Sequence, residues 1–342
     1  MIDLRSDTVT QPTDAMRAAM TKAEVGDDVF REDPTVNQLQ DLAAKKMGKA
    51  AGLFVSSGTM GNLLAVLVHC QRGDEVIMGN LGHTFLFEGG GISALGGIFV
   101  HTCHNMEDGT IDLNEIIQAI RPDDIHQPRT RLLILENTHN RRGGAVIPVK
   151  YMQEAGEVAH SHGLAIHLDG ARIFNAAVSL GVDTCDLVTP ADSITFCLSK
   201  GLCAPVGSVL CGSEDFIEKS RRLRKMLGGA MRQAGILAAA GIVALETMVD
   251  RLAEDHQRAR ALAEGLGQIE EIKLEHVPAS NMVFASLNPS SKKTGEEIRD
   301  LLLLKDIKVG LIGLNNFRMV THYWIKDTDI HTTVHEFKNC FC

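Results

Sequence analysis

Short aliphatic, β-prone runs alternate with helix-periodic segments through most of this chain, and that alternation limits the folds open to it. Strands are predicted over 75–78, 97–100, 132–135, 164–168, 194–198 and 206–211. Helical spacing of apolar residues covers 60–70, 113–120, 149–162 and 171–180 between them. Repeated β-α-β units with crossovers of this length predict an α/β fold, its mainly parallel sheet covered on both faces. Before the alternation, residues 1–12 read as extended. Thr13 and Asp33 open two helices, and Phe54-Val55 leads into a turn. After it come a helix starting near Ser213 and an Ala-rich helix from about Gln233 past Ala261. Near residue 265 the character changes to strand, helix, strand, helix (283–287, 296–304, 317–321, 328–337), as in a smaller α+β domain. A chain of 342 residues is long enough for two domains. The expected division is 1–255 for the N-terminal segment and large domain, and 256–342 for the small C-terminal domain.

Two of the predicted strands end on reactive groups. The run Ser193-Ile194-Thr195-Phe196-Cys197-Leu198 is followed by Ser199-Lys200-Gly201, so a lysine sits in a loop just past a core strand. His167-Leu168-Asp169-Gly170 delivers a carboxylate in the same way. Open α/β sheets bind ligands beyond the carboxyl ends of their strands. A lysine and an aspartate placed there point to pyridoxal phosphate, with Lys200 as Schiff-base lysine and Asp169 paired with the pyridine nitrogen. The plain alternative is a loop lysine and a helix N-cap. Ser56-Ser57-Gly58-Thr59-Met60-Gly61-Asn62 adds a Gly/Ser/Thr turn opening into a helix, which suits a phosphate. Alone, such a turn is as well explained as a capped helix without a ligand.

Other patterns carry less. Gly89-Gly90-Gly91-Ile92-Ser93-Ala94 fits a dinucleotide-binding spacing, but no strand flanked by turn signals precedes it. The pairs His101/His104 and His160/His162 lack carboxylates at ligand spacing, so no metal site is expected. His83, in an aromatic, Gly-rich loop, and His126, after Pro122-Asp123-Asp124, are candidate proton shuttles or structural residues. Arg318 stands inside an apolar strand, where a buried guanidinium needs an anion, either a ligand or a structural acid. The net charge of −9 argues against nucleic acid or an anionic membrane as main partner, and leaves room for a locally basic pocket. Eight cysteines without a CxxC pair read as reduced, buried thiols. No apolar run is long enough to span a bilayer, and residues 1–7 lack a signal-peptide core, so a cytoplasmic protein is expected.

The chain closely resembles the low-specificity L-threonine aldolases of the threonine aldolase and β-eliminating lyase family, which are fold type I (aspartate-aminotransferase-like) pyridoxal phosphate enzymes. The runs that carry the resemblance include Asp3-Leu4-Arg5-Ser6-Asp7, Gly26-Asp27-Asp28-Val29, Asp33-Pro34-Thr35, Ser57-Gly58-Thr59, Asp123-Asp124-Ile125-His126, Glu136-Asn137-Thr138-His139-Asn140, Asp169-Gly170-Ala171-Arg172, Leu198-Ser199-Lys200-Gly201, Gly229-Ala230-Met231-Arg232 and Arg318-Met319-Val320-Thr321-His322. The resemblance implies retro-aldol cleavage of L-threonine, L-allo-threonine and other β-hydroxy-α-amino acids to glycine and an aldehyde. It implies that Lys200 and Asp169 act as above, that Gly58 and Thr59 hold the phosphate, and that His83 stacks on the ring. Arg172 would contact the phenolic oxygen and border the substrate. Ser6 and Arg318 would take the substrate carboxylate. His83 or His126 would handle the β-hydroxyl proton. Lys225 and Arg232 would reach the site of a neighbouring subunit in a homotetramer built as a dimer of dimers, with shared active sites. Other pyridoxal phosphate enzymes of the same fold, a β-eliminating lyase or one like serine hydroxymethyltransferase, are the competing readings; a non-catalytic pyridoxal phosphate-binding regulator is a weaker one.

Overall fold

The computed structural model describes residues 1–341. Its central sheet has seven strands, in spatial order Ala51–Val55, Ser208–Gly212, Ser193–Cys197, Ala165–Asp169, Thr130–Glu136, Glu75–Gly79 and Phe99–Cys103. All run parallel except Ser208–Gly212, which is antiparallel to both neighbours. The expected α/β fold with a mainly parallel sheet is therefore present. Alternate side chains leave opposite faces, as the pleat requires. Leu133 and Leu135 join one core with Ile77, Phe54 and Val209, whereas Leu132 and Ile134 join another with Val76 and Met78. Helices Pro34–Met47, Val149–Ser161, Ile173–Leu180 and Gly235–Thr247 contribute to the first core. Helix Gly58–His69 lies on the other face, beside Glu214–Met226.

A separate core gathers helices Leu252–Leu266, Gly295–Leu303 and Asp327–Asn339 on a four-stranded antiparallel sheet. That sheet runs Gly310–Ile312, Asn316–Val320, Met282–Leu287, Ile272–Leu274. The N-terminal strand Ile2–Asp3 pairs in parallel with Ile307–Lys308, and Leu4 is buried in this second core.

Several local expectations shift. The strand expected over 97–100 lies at Phe99–Cys103, because Gly97 takes a left-handed conformation (φ 64°) that ends the helix Gly91–Gly96. That helix has no strand before it, only the short helix His83–Leu86, so the dinucleotide spacing lacks its βαβ context. The long Ala-rich helix is two, Gly235–Thr247 and Leu252–Leu266. Asp169 ends a strand, and Arg172 is the N-cap of the next helix. The first twelve residues include a 3-10 turn at Asp7–Val9. Seven cysteines are free thiols, and Cys342 lies outside the described residues. No helix among the described residues is long and apolar enough to cross a membrane.

Helix Glu214–Met226 is anchored by a buried ion pair. Arg224 donates to Asp28 Oδ2 at 2.6 Å and to the Phe54 carbonyl at 2.6 Å, and both charged residues are 1% exposed. Removing one member of such a pair leaves the other charge buried. Asp28→Ala should therefore lower stability in denaturant-induced unfolding by about 3–5 kcal/mol.

Candidate active site

The carboxyl ends of the parallel strands face two adjoining cavities. The first, of about 400 Å³, is bordered by the helix start at Ser57, Gly58 and Thr59, by Asp169 and by Lys200. The second, of about 380 Å³, reaches from Lys200 past Ser6 and Arg172 to Arg318. Thr8, His83 and Lys200 border both.

Lys200 follows the strand Ser193–Cys197 and is held by its backbone, since its carbonyl accepts a hydrogen bond from Thr10 Oγ1 at 2.9 Å. At one end of the first cavity, Ser57 caps helix Gly58–His69 by accepting from the Met60 amide at 3.1 Å. The amides of Gly58 and Thr59 are left at the positive end of a twelve-residue helix. A Cβ on Gly58 would lie 3.0 Å from Cys197 Sγ, a tight contact, so glycine eases the close approach of this turn to the lysine-bearing strand. At the other end, Asp169 is 3% exposed and accepts from Asn62 Nδ2 at 2.9 Å and from the Ala171 amide at 3.2 Å. An anion-binding helix start, an amine and a buried carboxylate around one cavity match the donor set that pyridoxal phosphate requires.

His83 is the first residue of a short helix, and its Nδ1 lies 2.9 Å from Glu88 Oε1. The same Glu88 oxygen accepts from Asn62 Nδ2 at 2.9 Å. The Glu88 hydrogen bond raises His83 above the ordinary histidine value; burial and the Asp169 charge raise Glu88, so the two titrate as a pair. Glu136 ends its strand with Oε2 accepting from the His83 amide at 2.7 Å and Oε1 from the Asn140 amide at 2.9 Å. Burial, with the Asp169 charge nearby, pushes Glu136 up to about 7.

On the far side, Arg318 donates through Nη1 to the Arg5 carbonyl and through Nη2 to Asn140 Oδ1, both at 2.9 Å. Its Nε is buried without a partner, and no carboxylate forms an ion pair with it among the described residues. Burial and the nearby Arg172 charge pull it down to about 10. Arg172 is committed differently from expectation. Asp7 takes its Nε at 2.7 Å and its Nη2 at 2.5 Å, so Nη1 is the nitrogen left for a ligand. Ser6 lines the second cavity while its Oγ accepts from the Thr8 amide at 3.3 Å.

Three expected residues do not join these in one chain. His126 lies at the amino end of the strand Thr130–Glu136, whose carboxyl end bears Glu136 at the cavity; seven strand residues put the two ends ~20 Å apart. Its ring is 81% exposed and bonds Asp124 at 2.8 Å. Arg232 pairs with Asp27 at 2.8 Å on the surface, and Lys225 is exposed near the end of its helix. Sequence reasoning missed Asp7, Asn62, Glu88 and Glu136. The signal available was the position of Asp7 and Glu136 inside the motif runs, and of Asn62 one turn into the phosphate-type helix.

The β-eliminating lyase family profile matches residues 3–288. This chain belongs to that family, alongside the threonine aldolases. It is 49% identical over 344 residues to low-specificity L-threonine aldolase 1 of Arabidopsis thaliana, covering 99% of this chain and 95% of that protein. It is 54% identical over 266 residues to the low specificity L-threonine aldolase of Escherichia coli K12, covering 78% of this chain and 79% of that one. The solved structure of Leishmania major threonine aldolase superposes over the full length of both chains with a TM-score of 0.85, at 21% identity. The fold is thus the fold type I architecture expected from the sequence.

Asp7 is held far below its ordinary carboxyl value of 3.8 by Arg172, against the opposing effect of burial. A depressed carboxyl contributes its full stability above the unfolded value and loses it as pH falls. Asp7→Asn should lower the unfolding midpoint by several degrees at pH 7. The gap from the parent protein should narrow as pH drops below about 4.

Proposed function

We propose that this protein is a pyridoxal phosphate-dependent threonine aldolase, cleaving L-threonine, L-allo-threonine and related β-hydroxy-α-amino acids to glycine and an aldehyde. The observation that carries this reading is the continuity of the two cavities. Lys200, Asp169 and the Gly58 helix start surround the first, and an arginine without an acidic partner waits across the second.

Pyridoxal phosphate supplies the electron sink for the bond broken at Cα. Lys200 would hold the cofactor through its side-chain amine. The amides of Gly58 and Thr59 would hold the phosphate, and Asp169 would hold the ring-nitrogen proton. His83 would stack on the ring, Arg172 would offer Nη1 to the phenolic oxygen, and Ser6 and Arg318 would hold the substrate carboxylate. A fork-shaped guanidinium binds a carboxylate in a fixed orientation, which sets the bond aligned for cleavage. His83 is the base for the β-hydroxyl proton. Glu88 at Nδ1 keeps that nitrogen protonated, so the lone pair of neutral His83 sits on Nε2.

On this reading residues 1–255 build the cofactor site, and residues 256–342 supply Arg318 to the substrate side. The protein acts in the cytoplasm as a homotetramer, a dimer of dimers with shared active sites. The loop 122–128 supports that assembly, because it projects Ile125, 98% exposed, beside His126. His126, Lys225 and Arg232 then serve the site of a neighbouring subunit.

Purified protein should be yellow, with a band near ~420 nm, and should release aldehyde from L-threonine or L-allo-threonine. Lys200→Ala should lose both. A wild-type protein that stays colourless with pyridoxal phosphate and releases no aldehyde overturns the reading. A coloured protein that acts only on serine or on β-substituted substrates moves the activity to a β-eliminating lyase.

The pH profile tests Glu88. The charged and titratable groups around His83 are Glu88, Asp169, Glu136 and Lys200. His83 must be neutral to accept a proton, and Glu88 holds its pKa up. Glu88→Gln should therefore move the acid limb of kcat/KM to lower pH and reduce kcat by about tenfold or more. An unmoved acid limb assigns the proton transfer elsewhere.

A further inference from the structure

Asn62 links the site to buried polar side chains that the chemistry above does not use. Its Oδ1 lies 3.0 Å from Nε2 of His167, in the strand that ends on Asp169. Nδ1 of His167 lies 2.9 Å from Ser193 Oγ, at the start of the strand that leads to Lys200. Ser193 Oγ is in turn 2.8 Å from Nε2 of His69, at the far end of the helix that carries Asn62. His167 and Ser193 are fully buried and Asn62 is 1% exposed; His69 is half-buried and stacks on Phe216 with ring centroids 4.8 Å apart.

The direction of each bond is forced. The Asn62 end facing the Asp169 and Glu88 oxygens, at 2.9 Å each, must be the NH₂ end, because a carbonyl oxygen there would repel them. Oδ1 therefore accepts, and His167 carries its hydrogen on Nε2. Burial pulls His167 down to about 3, so the ring is neutral and Nδ1 is an acceptor. Only the Ser193 hydroxyl can supply that hydrogen. With its single hydrogen used, Ser193 accepts from His69 Nε2–H. All four donors thus point toward Asp169.

Polar side chains buried between helix and sheet cost free energy unless paired, and an apolar filling would serve packing equally well. A chain of bonds aligned in one sense instead polarises each successive donor. Hydrogen bonds to a carboxylate favour its charged form. Asp169 is crowded by the acids Glu88 and Glu136; His83 and Lys200 are the basic groups nearby, and His139 is pulled down to about 4 by burial.

We infer that His69, Ser193, His167 and Asn62 form a one-directional positioning relay that stabilises the Asp169 carboxylate, and through it the protonated ring nitrogen of the cofactor. The second half of this inference rests on the proposed function; the direction of the relay does not.

The test uses the full chain, with ¹⁵N-histidine NMR for tautomers and pyridoxal phosphate titration of the resolved protein for affinity. Wild-type His167 should be the neutral Nε2–H tautomer with or without cofactor. Ser193→Ala should weaken pyridoxal phosphate binding about tenfold and release His167 from that single tautomer. His69 is only partly buried and sits in the last turn of its helix, so its variants should fold. His69→Leu should weaken binding about threefold, and His69→Gln, which keeps an N–H donor, should return it to within about twofold of wild type. An Nδ1–H tautomer for wild-type His167 overturns the relay. So does a Ser193→Ala protein that unfolds at lower temperature yet binds the cofactor as wild type does. Should wild-type protein bind no pyridoxal phosphate, the proposed function fails, and the tautomer measurement alone decides the relay's direction.

Discussion

Three carboxylates are buried together at the ends of neighbouring strands and loops: Asp169, Glu136 and Glu88. Like charges in a low-dielectric interior repel strongly, so this arrangement depends on the donors that meet five of the six oxygens; Glu88 Oε2 is buried without one. Glu136 spends its two oxygens on the amides of His83 and Asn140, fixing both loops over the strand end. Glu88 fixes the His83 ring, and Asn62 bridges Glu88 to Asp169. The positions of the loop residues at the site follow from satisfying these acids. The core beneath is conventional: aliphatic side chains alternate to either face of a parallel sheet, and helices cover both.

The arginines complement this acid cluster from the other side. Asp7 occupies two nitrogens of Arg172, which holds the N-terminal turn against the strand loop carrying Arg172. Among the described residues, Arg318 is left with neutral acceptors: the Arg5 carbonyl, the Asn140 amide oxygen and, at 3.9 Å, Met282 Sδ. A guanidinium satisfied by neutral groups keeps most of its charge available to an incoming carboxylate, whereas one already paired does not. The two buried arginines therefore differ in what they can offer a ligand, although both line the same cavity.

Much of this was legible in the sequence, for identifiable reasons. The alternation of apolar runs fixes strand and helix types, and the residues just past strand ends fix Lys200 and Asp169, because the chain direction places them there. Boundaries slipped where glycine geometry decides them, as at Gly97, and where a helix breaks without a proline, between Thr247 and Leu252. The antiparallel sense of Ser208–Gly212 left no mark in its composition, since a strand buried on both faces looks the same in either direction. Glu88 and Asn62 escaped notice because their meaning lies in each other, 26 positions apart, and in the Asp169 carboxylate that Asn62 also reaches. Asn62 bonds Asp169 across 107 positions, and its place one turn into the Ser57-capped helix was the one local mark it carried. His126 shows the converse: it lies inside a matching motif, yet stands at the end of its strand away from its own chain's cavity.

The N-terminal segment ties the two units together. Ile2–Asp3 pairs with Ile307–Lys308, Leu4 is buried beside them, and within a few residues Ser6, Asp7 and Thr10 reach the site. Contacts that span some three hundred positions carry a high loop-closure entropy and form late. Strand Ile2–Asp3 can therefore settle only once strand Ile307–Lys308 is in place. Until then Arg172 has no Asp7 beside it and the Lys200 loop has no Thr10 tether. The large sheet can form earlier from nearer contacts, but the ligand pocket is finished only after the small unit has captured the N-terminal strand.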